Sequence, residues 1–153
     1  MALDDKITEL HKRHAAAQEK YTYFVLAASG ASIAFAVQKT EGLPLSWWLI
    51  PVGLAVLSWA ASFWLGVRAI DLVQALTGAN YGLLQLAQGT HSRQPDHPEL
   101  VQAAKNGAMN AMSTNSDKAN TAYVWQFRML LAGAFCFVMW RVLEAYRLMP
   151  PSA

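Results

Sequence analysis

From Trp47 to Val67 the chain runs for 21 residues without a formal charge. An α-helix of that length measures about 31 Å, the thickness of a bilayer's hydrocarbon core. A backbone in lipid must satisfy its own hydrogen bonds, so such a segment is committed to helix and the rest of the chain is arranged around it. Two further apolar blocks accompany it. Tyr21 to Val37 is also uncharged and reaches about 25 Å as a helix. Ala122 to Trp140 is interrupted by Gln126 and Arg128, and its strictly apolar part, Met129 to Trp140, gives only about 18 Å. The expected spans are therefore residues 21–38, 47–68 and 122–141, with an interfacial third helix as the alternative for the last.

The composition agrees with a membrane class: 54% of the 153 residues are hydrophobic and 14% are charged. A net charge of +2, dispersed along the chain, lacks the clustered basic face that nucleic-acid binding needs. The lone Cys136 excludes an intrachain disulfide and reads as a small packing residue. Ala34-Phe35-Ala36 has the small-x-small form of a signal cleavage site. The preceding Asp4, Asp5, Glu9 and Glu19 make a poor leader, so the first span is expected to remain as an anchor.

Outside the blocks the chain is patterned, not loose. Leu3, Ile7, Leu10, His14, Ala17, Tyr21 and Phe24 recur at alternating spacings of four and three, which predicts one helix of about 35 residues running into the first span. Leu65, Ala69, Leu72, Leu76, Ala79, Leu83 and Leu86 continue the second span in the same way until a turn at Gly89 to Pro95. A third helix is expected from Pro98, capped by Asp96, through an Ala-rich stretch into the third span. The fold class is all-α: three long helices in up-down-up order, joined first by a short turn at Gly42 and Pro44. Residues 3–20, 69–88 and 98–121 form a cytoplasmic bundle. Tyr21, Tyr23, Trp47, Trp48, Trp125 and Trp140 fall at span ends, where aromatic rings favour the headgroup level. Trp59 and Trp64, deeper in the second span, are expected to pack or to face lipid.

Small residues in the spans set the candidate helix contacts. Gly30 lies among Ala27, Ser29, Ala31 and Ala34, and Ser58, Ser62 and Gly66 recur at intervals of four, spacing that lets helix backbones approach closely. Three helices leave faces over, so a homo-oligomer is expected. Arg128 lies inside the third span and must snorkel, face water, or pair with Asp71; Arg128, Asp71 and Gln126 form the candidate pathway or pairing set. Asn106, Asn110, Ser113, Asp117 and Asn120 make a weakly charged polar stripe on the third helix, suited to an aqueous path, to helix register, or to plain solvation.

No site for chemistry emerges. His11, His14, His91 and His97 have no further ligands at metal-site spacing, and no nucleophile elbow, phosphate loop or zinc-protease motif is present. The expectation is a non-enzymatic protein without cofactor or metal, whose partners are the lipid bilayer, copies of itself and a protein on the cytoplasmic bundle. The leading expectation is a homo-oligomeric, pore-like or membrane-perturbing effector that forms or gates a membrane pathway; the alternative is a membrane anchor or accessory scaffold subunit of a larger complex.

Orientation follows from the flanking cations. Lys6, Lys12, Arg13 and Lys20 precede the first span, and Arg68, Arg93, Lys105 and Lys118 lie between the second and third, against Lys39 alone in the first connection. The positive-inside rule then puts the protein in the plasma (inner) membrane with its N-terminus cytoplasmic and its C-terminus outside. A topology reporter fused after Ala153 is expected to be active only outside, and one inserted at Gln94 only inside. Cytoplasmic activity at the C-terminal fusion would leave two spans and an interfacial third helix.

Overall fold

The structure is a computed structural model and describes residues 2–44, 46–93 and 95–148. Among these the elements are helices α1 (Ala2–Thr40), α2 (Ile50–Gln88) and α3 (Pro98–Leu148), with a 3₁₀ turn at Trp47–Leu49 before α2. All three helices are long and apolar enough to cross a membrane.

The helix ends follow local chemistry. Gly42 and Gly89 adopt positive φ, 76° and 70°, a region open to residues without a Cβ. At the end of α2 the Thr90 N–H donates to the Gln85 carbonyl at 3.0 Å, the wrapped closure that a left-handed glycine permits. Helix α3 starts at Pro98 as expected, but Asp96 is not its cap residue. That position belongs to His97, whose carbonyl accepts from the N–H groups of Leu100 and Val101. Glu99 in the first turn and Arg147 in the last complement the helix dipole.

The chain divides into two compact units, residues 1–66 with 125–153, and residues 67–124. In the second unit the buried residues are Ala69, Ala119 and Ala122. Leu72, Leu76, Ala79, Leu83 and Leu86 of α2 are half-buried at alternating spacings of four and three, and so are Val101, Ala104, Ala108, Met112 and Asn115 of α3 at spacings of three, four, four and three.

The seam expected for α1 is not the face that packs. Leu10 is 71% exposed and Phe24 69%, with Tyr21 also exposed, whereas Thr22, Val25, Ser29 and Ala36 are buried. The packed face lies one residue, about 100° of helix, away from the apolar seam. The side chains that turn inward are the small or hydroxyl-bearing Thr22, Ser29 and Ala36, together with Val25. The side chains of Leu3, Ile7 and His14 lie outside the described residues.

The first unit is held at two levels. Toward the α1–α2 turn, Ala36, Val52, Ala55, Trp59 and Trp140 form a core, with Ile33, Leu130, Cys136 and Phe137 packed against it. Phe137 is central, with ring centroids 5.4 Å from Trp140, 5.7 Å from Phe35 and 5.8 Å from Trp59, within the range of favourable tilted aromatic pairs. Trp140 is thus a core residue, 2% exposed, and not the headgroup ring its place at a span end suggested. Trp47 is 83% exposed and Trp64 also lies outward, whereas Trp59 is buried.

Trp59 owes its place to Gly133. A Cβ on Gly133 would lie 2.5 Å from Trp59 Nε1 and 2.6 Å from Cδ1, so the indole occupies the space a side chain would take. Its N–H donates to the Leu130 carbonyl at 3.2 Å, giving the buried ring nitrogen a partner. The indole is rigid and enclosed. Gly133→Ala is therefore expected to destabilise the protein by about 1–3 kcal/mol, despite the better helix propensity of alanine. Thermal unfolding in detergent should show this as a lowered midpoint; an unchanged midpoint would mean that the ring can move aside.

Candidate buried polar cluster

The second level of the first unit is polar. Thr22 and Ser29 come from α1, Ser62 and Gly66 from α2, and Gln126 from α3; the four side chains on these helices are buried, Gln126 to 1% exposure. In an interior shared by three apolar segments, hydroxyls need acceptors, and the nearest are helix carbonyls one turn back. Thr22 donates to the Gln18 carbonyl at 2.9 Å. Ser62 instead reaches across and donates to the Gln126 carbonyl at 2.8 Å. With its proton committed there, the Ser62 oxygen is the acceptor in its 3.2 Å contact with Ser29 Oγ. The single Ser29 hydrogen is shared between Ser62 and the Val25 carbonyl, 2.9 Å away. Hydroxyls thus join α1 to α2 and α2 to α3.

Gly66 lets Gln126 in. A Cβ there would lie 2.4 Å from Gln126 Nε2 and 2.8 Å from Leu26 Cδ2. Trp59 against Gly133 and Gln126 against Gly66 form a reciprocal pair, each large side chain filling the other helix's glycine, with seven residues between the two contacts on both helices. As the α2 number rises the α3 number falls, so the two segments pair in opposite chain directions.

The Gln126 carboxamide itself is unmatched. Both Nε2 and Oε1 are buried with no hydrogen-bond partner among the described residues. An orphaned buried amide costs about 1–3 kcal/mol. The cluster contains no titratable side chain, and its hydroxyls are engaged with carbonyls or with each other. Its chemistry is that of fixing helix register and offering a neutral polar contact.

The other candidate residues lie elsewhere. Arg128 is exposed, with its guanidinium 5.3 Å from the centroid of the Trp125 ring one turn earlier. Asp71 is exposed on α2 in the second unit. Asn106, Asn110, Ser113, Asp117 and Asn120 are all exposed on α3 of that unit. Gly30 would meet nothing within 4 Å if given a Cβ. Ser58 turns its hydroxyl back to the Leu54 carbonyl at 2.8 Å. Of the four small packing residues singled out, Ser62 and Gly66 are thus used inside the chain, whereas Gly30 has open space beside it. No group of three or more His, Cys, Asp or Glu is close enough to hold a metal among the described residues. Sequence reasoning missed Gly133 and the bond from Ser29 to Ser62. A signal was present in each case: a glycine seven residues after Gln126, and a serine amid the apolar residues of α1.

The chain matches no protein-family model, no curated protein and no solved structure. The roles of its residues therefore rest on the geometry alone.

Replacing the carboxamide by an apolar side chain of similar length removes the orphaned atoms and keeps the fit against Gly66. Gln126→Met is expected to raise the unfolding midpoint by an amount corresponding to about 1 kcal/mol or more, while Ser62→Ala lowers it by about 1 kcal/mol. A lowered midpoint for Gln126→Met would show that the amide has a partner, such as an ordered water, in the folded protein.

Proposed function

We propose that the chain is a non-enzymatic membrane anchor and assembly subunit, which spans the bilayer three times and presents the α2–α3 stretch to a protein partner in the cytoplasm. The observation that carries this reading is the sorting of residues on the spans. Between Tyr23 and Val37 on α1 the exposed positions are Tyr23, Phe24, Ala27, Ala31, Ala34, Phe35 and Val37, and between Gly53 and Val67 on α2 they are Gly53, Leu54, Leu57, Ala60, Phe63, Trp64 and Val67. On α3 they are apolar too from Leu131 to Val142, except for Arg141. Within these bounds polar groups are turned inward and apolar surface outward, the arrangement of a body solvated by lipid, while the exposed Gln38, Arg68 and Arg128 lie nearer the ends of the spans. Outside the spans the exposed stripe from Asn106 to Asn120 offers amides and a hydroxyl with little charge, a surface suited to specific hydrogen bonding with another helix.

Self-association fits the same picture. In the apolar window of α3 only 11% of residues are buried within the chain, against 28% in α2, so α3 keeps the most surface for lipid or for another copy. The competing reading, a pathway formed by several copies, draws on Arg128, the exposed charge near the start of the third span. It lacks a polar row continuing from Arg128 across the span.

Reconstitution separates the two. The anchor reading expects vesicles that hold an entrapped dye and a potassium gradient at any protein content. In cells, a photo-crosslinking residue at Asn110 should yield protein adducts, and one at Phe135 chiefly lipid adducts. Ion flux that changes selectivity with Arg128→Glu would overturn the anchor reading in favour of the pathway.

A further inference from the structure

A cleft of about 280 Å³ opens at the end of the first unit where α1 turns into α2 and α3 approaches its C-terminus. Leu43, Trp48, Leu49, Trp140 and Leu143 give it apolar and aromatic walls, and Glu144 and Arg147 stand among its lining residues. The charges are unequal in availability. Glu144 is engaged in an ion pair with Arg141, whose guanidinium also lies 5.6 Å from the centroid of the Trp140 ring. Arg147 has no ion-pair partner among the described residues. The cleft therefore combines an apolar trough, an indole half exposed at its edge, and one uncommitted guanidinium.

We propose that this cleft binds one anionic glycerophospholipid, with an acyl chain along Leu43, Leu49 and Leu143 and the phosphate on Arg147. The proposal rests on the reading that the helices span a bilayer, and it holds for an anchor or a pathway alike. Three observations favour this occupant over a free anion or a zwitterionic lipid. The walls are mostly apolar, and a free phosphate would leave them wet. Trp48 lines the cleft and is half exposed, and an amphipathic ring so placed is suited to the boundary between acyl chains and headgroups. The local charge from Arg141, Glu144 and Arg147 is one net positive, which complements one phosphodiester and leaves a choline ammonium without a carboxylate to meet, since Glu144 is taken.

The test is native mass spectrometry of the full chain, purified in detergent and supplied with phosphatidylglycerol or phosphatidylcholine of identical acyl chains. One phosphatidylglycerol is expected to be retained about fivefold more strongly than phosphatidylcholine, the factor that one cation near a headgroup contributes. Arg147→Glu should abolish that preference and Arg147→Lys should keep most of it. Arg93→Glu, a charge reversal in the α2–α3 connection, should leave it intact. Arg147→Gln reads the same interaction should the glutamate variant fail to insert. Glycerol 3-phosphate, which carries the headgroup charge without chains, should not displace the lipid. Equal retention of the two lipids, a preference that survives Arg147→Glu and Arg147→Gln, or displacement by glycerol 3-phosphate would each overturn the proposal. Loss of all lipid-bound species together with loss of membrane insertion of the unaltered chain would instead count against the spanning reading beneath it.

Discussion

In water, burying apolar side chains would by itself hold three helices together. In lipid that force is nearly absent, because a leucine against another helix and a leucine against an acyl chain are similarly placed. In the spanning arrangement proposed above, the packing in the first unit depends on close approach and on polar bonds, and both are concentrated between α2 and α3. Trp59 lies in the space left by Gly133, and Gln126 in the space left by Gly66. Between these points the Ser62 hydroxyl and the Trp59 indole N–H each donate to a carbonyl of α3. Ser29 ties α1 to the same row through Ser62. The aromatic cluster around Phe137 adds area at one end, but the alignment of the helices is determined by the two glycines and the two donors.

This dependence also explains what could be read from the sequence. Helix existence was legible because long uncharged runs and three-four spacing admit little else, and the starts and stops at Pro98 and Gly89 were marked by residues with restricted or unusual backbone geometry. The row on α2 in the second unit was legible for the ordinary reason that large apolar residues alternate with polar ones there, whereas the half-buried row on α3, made of Val101, Ala104, Ala108, Met112 and Asn115, has too few large apolar residues to stand out. The packed face of α1 was not. The described members of its most regular apolar row, Leu10, Ala17, Tyr21 and Phe24, are exposed, and the row that packs contains Thr22, Ser29 and Ala36. Where lipid and protein interior are equally apolar, hydrophobic periodicity does not tell one from the other.

The candidate site was legible only in pieces. Ser62, Gly66 and Gln126 each stood out as small or polar residues in apolar surroundings, yet they were assigned to different purposes. Their meeting depends on the register of α2 against α3, which no local pattern encodes. Trp140 shows the same limit from the other side. A tryptophan at a span end is usually an interface residue, but a helix face turned toward Phe137 and Trp59 makes this one part of the core.

The reciprocal fit has a mechanical meaning. A one-turn slide of α3 along α2, about 5.4 Å, would bring Trp59 from Gly133 to Met129 and Leu130 or to Cys136 and Phe137, where no gap receives an indole. Gln126 would leave Gly66 in the same movement, since both contacts share one register. Two locks set seven residues apart thus oppose piston-like translation and also rotation of either helix about its axis, since both movements unseat the same two side chains. A push or pull applied along either helix would therefore be carried by the pair as a single rod.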